Sequence, residues 1–542
     1  MSAIVVLLAL LAGAAHAQKA DLIVENAVIY TMNPAQPRAK SIAVIKSKIL
    51  AVGEDLSQFA DAGTRRIDAR GATVIPGLID AHAHLRGLGE LLESKDLRAV
   101  ASIAAVADLV REEASRRAAG EWIVMRNWDQ TNWGGTFPHA RDLDAAAGGR
   151  PVFLSRVDGH AGWANTEALK RAGITRETKD TPGGKVIRDV DGEPTGVLID
   201  RAMGLVSSRI PPPTPAQVKR RLELAARECA RLGLTSVHDA GVSARELAAY
   251  RELIREDRFP LRVNAMIGGE GELWREYLKK GPEIGEYLTV RSIKLFSDGA
   301  LGSRGAALWQ DYSDEPGNQG LLMTTPEAVE RVARAAVERG FQVCTHAIGD
   351  RANRLVLDAY AAALGGRNDK RFRIEHAQII SLPDFQRFVD YSVIASIQST
   401  HATSDMRWAA RRVGPDRIAG AYAWQRFLKL GVPVANGSDF PVEEPNPMLG
   451  LYAAITRQDL KGEPAGGWMP DQRMTREQAL KSWTLDGAYA AFEEKVKGSL
   501  EPGKLADFVV LDRDIMTAPV TEIAGTKVKM TVLGGRVVHE AQ

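Results

Sequence analysis

Eight short apolar runs, most bounded by turn residues, recur along this chain with helical stretches between them. That alternation is the pattern of a parallel sheet. The runs are VIPGLIDAHAH, LTSVHDAG, LRVNAMIG, SIKLFSDG, FQVCTHAIG, FRIEHAQ, SVIASIQST and VPVANGSD. Eight parallel strands with intervening helices close into a (β/α)8 TIM barrel, whose strand C-termini surround one pocket. Five of the runs deliver a candidate cation ligand at that rim: His82 and His84 on the first, Lys294 on the fourth, His346 on the fifth, His376 on the sixth and Asp439 on the eighth. Helical stretches such as AQVKRRLELAARECARLG and PEAVERVARAAVERG precede the second and fifth strands, and the latter ends at Gly340, a C-cap residue.

The ends of the chain read differently. ADLIVENAVIYTM, SIAVIKSKILAVG and RRIDARGATVIPG near the start, and GSLEPGKLADFVVLD and VKMTVLGGRVVHE near the end, are strand-turn-strand segments. Gly534-Gly535 is a hairpin turn. Both termini are therefore expected to build one small β-sandwich, residues 18–76 with 495–542, around a barrel domain of 77–494. A segment of about 90–213 separates the first two barrel strands by far more than an ordinary connection. It carries its own strand-like runs, EWIVMRNW and RPVFLSRV, and closes on Pro211-Pro212-Pro213. It is expected to be an inserted subdomain able to cover the pocket.

Of 542 residues, 45% are hydrophobic and 25% charged, as in ordinary soluble domains. The net charge of +2, with no basic stripe, argues against nucleic acid as a partner. Ile4 to Ala15 is an apolar run followed by Ala15-His16-Ala17, a small-x-small site before Gln18. It is too short to span a bilayer. Residues 1–17 thus read as a signal peptide, although no Lys or Arg precedes the run, and the mature protein is expected to be periplasmic or secreted without stable membrane association. The two cysteines, Cys229 and Cys344, lack zinc-thiolate spacing and read as buried apolar residues.

His82 and His84 are two residues apart at a strand end, so both imidazoles point to one face and reach one cation. Lys294 sits in an apolar strand, where an unpaired ammonium is costly. Either it pairs with a carboxylate such as Asp298, or it is neutral and adds carbon dioxide to become a bridging carbamate. His346, His376 and Asp439 gain their meaning from shared placement at the rim. Ser303 and Arg304, in GALGSRG, follow the fourth strand, and Arg304 could clamp a carboxylate. His160, in DGHAGW, could contact substrate. Trp309, with Trp128, Trp133 and Trp163, could line an apolar wall. His238 and His401 end the second and seventh strands.

The motifs VIPGLIDAHAHL, SIKLFSDGALGSRGAAL, THAIGDRAN, RIEHAQ, NGSDFPV, GSLEPGKLADFVVLD and DGHAGWANTEAL resemble those of the amidohydrolase superfamily, and within it the amidohydrolase-3 or YtcJ-like group. The resemblance implies a barrel with a split β-sandwich and one or two divalent ions, zinc or similar, held by His82, His84, His346, His376 and Asp439. It places Lys294 where relatives carry a bridging carbamate, moves His160 toward the pocket, and implies a homodimer. A bound cation acidifies water and polarises a carbonyl. Asp439 would take the proton of the attacking water and deliver it to the leaving nitrogen.

The expected activity is hydrolysis of a non-peptide amide of a small molecule, such as an N-acyl amino acid or N-substituted amide. Rival readings are a lactone, ester or carbamate hydrolase on the same site, and a secreted binding protein without catalysis.

Overall fold

The computed structural model describes residues 18–541; the leader expected over 1–17 lies outside them. The eight expected strands form one parallel sheet in chain order: β1 (Leu78–Ala83), β2 (Leu234–Val242), β3 (Arg262–Gly268), β4 (Leu288–Phe296), β5 (Gln342–Ala347), β6 (Arg373–His376), β7 (Ile394–Gln398) and β8 (Val434–Gly437). Their residues are almost all buried, because helices cover the outside and side chains fill the inside.

β8 returns beside β1 at the C-terminal rim. Asp439 N donates to His82 O and His84 N donates to Phe440 O, both at 2.8 Å. The Asp80 carboxylate accepts from Ser438 N at 3.1 Å and Ser438 Oγ at 2.6 Å. The approach requires glycine at 437, where a Cβ would stand 2.6 Å from Asp80 Oδ1 and from His82 N.

Helix α1 (Pro215–Arg231) starts at a capping box in which Thr214 and Gln217 bond each other reciprocally. Its buried stripe, Val218, Leu222, Ala225, Ala226 and Cys229, packs against the barrel. Helix α2 (Pro326–Arg339) ends at Gly340 with φ 73°, as its sequence requires.

The sandwich draws on both termini. Thr73–Pro76 pairs antiparallel with Phe508–Leu511 inside a six-stranded sheet. A four-stranded sheet of Leu22–Glu25, Ser41–Ile45, Lys48–Gly53 and Arg65–Asp68 packs on it, and Val24, Ile42 and Val74 meet Phe508, Val510 and Val532 in a shared core. Gly534 and Gly535, with φ 55° and 74°, turn the hairpin between Val528–Leu533 and Arg536–Glu540. Arg262, at the start of β3, grips Asp507 of the sandwich through Nε at 2.8 Å and Nη2 at 3.0 Å, with both side chains buried.

The insertion between β1 and β2 forms a five-stranded sheet with cores of its own. Its strands include Ile123–Trp128 and Val152–Arg156, the two runs expected from sequence, paired in parallel. Cys229 and Cys344 are free and buried. Among the described residues no helix is long and apolar enough to cross a membrane.

Candidate metal centre

A cavity of about 790 Å³ opens at the C-terminal rim, and His82, His84, Lys294, His346, His376 and Asp439 all line it. Donor atoms of His82, His376 and Asp439 lie within 4.8 Å of one another.

Each histidine is oriented by its other nitrogen. His82 Nδ1 meets Glu375 Oε2 at 2.5 Å, His84 Nδ1 meets the Ala240 carbonyl at 3.0 Å, and His376 Nδ1 meets Gln398 Oε1 at 2.7 Å. All three therefore offer Nε2. His346 is reversed: its Nε2 faces the Gly299 carbonyl at 3.4 Å, leaving Nδ1.

Asp439 Oδ1 is buried and has no well-formed hydrogen bond, although His84 Nε2 stands 3.1 Å away and His82 Nε2 3.6 Å away. An ionised oxygen facing imidazole lone pairs is a donor set suited to a divalent cation. The residues present thus fit a divalent metal.

The charge states agree. Burial pulls His82 down to about 4, helped by the Lys294 charge. His346 and His376 are likewise held well below the usual histidine range, first by burial. These rings are neutral at pH 7, as ligation demands. Burial alone would raise Asp439, but His82 and His84 hold it well below the usual carboxylate range. Asp439 and His376 both adopt left-handed backbone, φ 59° and 74°. Such conformations cost of order 1–3 kcal/mol each and persist where surrounding structure imposes them.

Lys294 has no ion-pair partner among the described residues. Its Nζ lies 3.5 Å from His82 Nε2 and 4.1 Å from the centre of the Phe296 ring. The alternative of a pair with Asp298 does not hold, because that carboxylate accepts the backbone N–H groups of Ala307, Ile348 and Gly349 at 2.8–3.0 Å. Burial lowers Lys294 to about 8.

The insertion supplies one wall, including His160. His160 Nδ1 meets Asp200 Oδ1 at 2.6 Å, which leaves Nε2 for a ligand. Burial opposes its protonation most, but the Asp200 hydrogen bond and the charges of Asp200, Asp158 and Asp298 together raise its pKa.

Three residues expected to touch substrate lie outside the cavity lining. Arg304 pairs with Asp314 at 3.0 Å and Glu315 at 3.1 Å. Ser303 is buried and its hydroxyl turns to the Ala300 carbonyl at 3.4 Å. Trp309 is 49% exposed on the surface. Trp128 and Trp163 are core residues of the insertion. His238 lies behind the ligands, bonded through Nδ1 to Arg373 at 2.8 Å.

Sequence reasoning passed over Glu375 and Gln398, the groups that aim His82 and His376. The signal available for Glu375 was an Arg-x-Glu pair inside the otherwise apolar run of RIEHAQ. Gln398 carried no comparable signal.

Residues 65–539 match the amidohydrolase family. The putative amidohydrolase YtcJ of Bacillus subtilis (strain 168) is 31% identical over 524 aligned positions, covering 94% of this chain and 98% of that protein. N-substituted formamide deformylase of Arthrobacter pascens is 27% identical over 547 aligned positions, covering 96% and 99%. An uncharacterized metal-dependent hydrolase from Pyrococcus horikoshii OT3 has a similar solved structure, with a TM-score of 0.75 at 28% identity, covering 92% of this chain and 99% of that one.

The chain belongs to the amidohydrolase family. It is a hydrolase of the class that acts on carbon–nitrogen bonds other than peptide bonds.

Proposed function

We propose that this protein hydrolyses a substituted amide of a small molecule, with zinc as its ion, to a carboxylate and an amine. The observation that carries the reading is the convergence of the unsatisfied Asp439 carboxylate with two oriented imidazoles at the barrel rim. The likeness to a protein named N-substituted formamide deformylase supports an N-substituted amide as substrate.

His82, His84, His346, His376 and Asp439 would hold the ion. When bound, a divalent cation supplies Lewis acidity, which polarises a carbonyl and acidifies water. Asp439 is ionised at neutral pH and so can take the proton of the attacking water. It then delivers that proton to the departing nitrogen. His160, oriented by Asp200, donates Nε2–H toward the substrate carbonyl or its acyl group. Lys294 is buried with its pKa lowered to about 8, so a minor share is free amine near neutral pH and can form a carbamate, which would add an anionic ligand.

The test is a hydrolysis screen with added zinc across formamides, N-acyl amino acids, cyclic amides and lactones. Amine release from an open-chain amide is the expected result. Turnover of lactones alone would replace the reading, and turnover undiminished by complete metal removal would end it.

A further inference from the structure

Arg126 lines the cavity from the insertion strand Ile123–Trp128. Among the described residues its side chain makes one hydrogen bond, from Nε to Asn127 Oδ1 at 3.1 Å. Both terminal nitrogens of the fork are left without a protein acceptor, and no carboxylate of the described residues forms an ion pair with them.

The other arginines lining the cavity are already engaged. Arg86 holds Glu246 at 2.6 Å. Arg98 faces Asp96 at 3.7 Å and donates to the carbonyls of Pro441 and Val442. Arg156 holds Asp129 and Asp158, and Arg407 also holds Asp129.

Gly87 gives the unpartnered fork its space: a Cβ there would come within 3.2 Å of Arg126 Nη1. Burial lowers the Arg126 pKa to about 10; the attraction of Glu90 does not offset this, and the Arg98 charge adds to it. A guanidinium so placed is charged at neutral pH and lacks a counterion. A bound anion removes that deficit.

We propose that Arg126 is a specificity-determining residue that binds a carboxylate on the non-reacting part of the substrate, so the substrate is an anionic amide such as an N-acyl amino acid. This rests on the hydrolase reading above. The fork matches the two oxygens of a carboxylate. A phosphate dianion would call for a second free cation, and the neighbouring arginines are paired. Met203, Phe296, Leu301 and Trp408 line the same cavity and suit an apolar side chain.

The experiment compares N-formyl and N-acetyl derivatives of leucine, methionine and phenylalanine, each as the free acid and as the carboxamide. Zinc-loaded wild type should favour the acids by about 10- to 100-fold in kcat/KM, mainly through KM. Arg126→Gln should bring that ratio near one, and Arg126→Lys should keep part of it, because charge survives but the bidentate fork does not. Calorimetric binding of the same pairs reads the preference without turnover. Acid preference in binding that Arg126→Gln abolishes, with nothing hydrolysed, would leave Arg126 assigned and remove the hydrolase reading. Hydrolysis or binding with no acid preference, or a preference that Arg126→Gln retains, would overturn the assignment.

Discussion

His82 Nδ1 lies 2.5 Å from Glu375 Oε2, so a carboxylate on the sixth barrel strand aims an imidazole on the first. Glu375 is an anion despite its burial, because Arg373 and His82 hold it well below the usual carboxylate range. A carboxylate on Nδ1 fixes the tautomer and strengthens Nε2 as a ligand. Glu375→Gln should therefore weaken metal affinity by about 10- to 100-fold. Competition with a chelator measures this, and an unchanged affinity would show that His82 needs no such partner.

Asp439 has two duties, and substitution separates them. Asn keeps the shape and one oxygen but cannot carry a proton away. Asp439→Asn should lose about 10²- to 10⁴-fold in kcat, while metal content per chain, read by elemental analysis, falls much less. Parallel losses of both would leave Asp439 a ligand only.

Lys294 gives a pH dependence with a definite sign. Its pKa is lowered to about 8, so the ammonium prevails below that pH and the reactive amine above it. Below 8, forming a carbamate from the ammonium and bicarbonate releases a proton, so acid opposes it. Above 8 the amine is already neutral, and the balance with bicarbonate no longer changes with pH. Metal-free protein in ¹³C-bicarbonate should therefore show a carbamate carbon signal that rises from pH 6.5 to about 8 and then levels. Lys294→Arg should show none. A wild-type spectrum without the signal at any pH would retire the carbamate.

The barrel and sandwich share one buried clamp, Arg262 with Asp507. Truncating Asp507 to alanine leaves a buried guanidinium with the Glu286 backbone carbonyl at 2.8 Å and, as its remaining carboxylate, the outlying Glu286 side chain 3.3 Å away and 47% exposed. The expected loss is about 3–5 kcal/mol of stability, read by denaturant unfolding of the full chain. A loss below about 1 kcal/mol would mean that water or Glu286 compensates Arg262.

If residues 1–17 act as the export leader expected from their sequence, the mature N-terminus lies near Gln18. N-terminal sequencing of the protein from the periplasm or medium checks it. An intact Met1 on soluble cytosolic protein would contradict it.

Much of this architecture is written locally. Eight apolar runs with turns between them specify eight strands, and strand alternation sends His82 and His84 to one face. Thr214, Gln217, Gly340 and the Gly534-Gly535 pair mark caps and turns through their nearest neighbours alone. Arg304 was within reach of the same reasoning, because Asp314 and Glu315, which engage it, stand only 10 and 11 residues further on.

The sequence by itself determined the barrel, the split sandwich and the rim on which the ligand-type residues stand, because strands, caps and turns are set by residues near in the chain. The tertiary structure alone decided which charges meet. Glu375 aims a histidine 293 residues away, Asp298 turns to backbone amides and leaves Lys294 alone, and Arg126 faces the cavity with its fork free. Partnership between buried charges depends on distances of a few ångströms that only the folded chain creates, since an ion pair's strength falls with separation and with exposure to water.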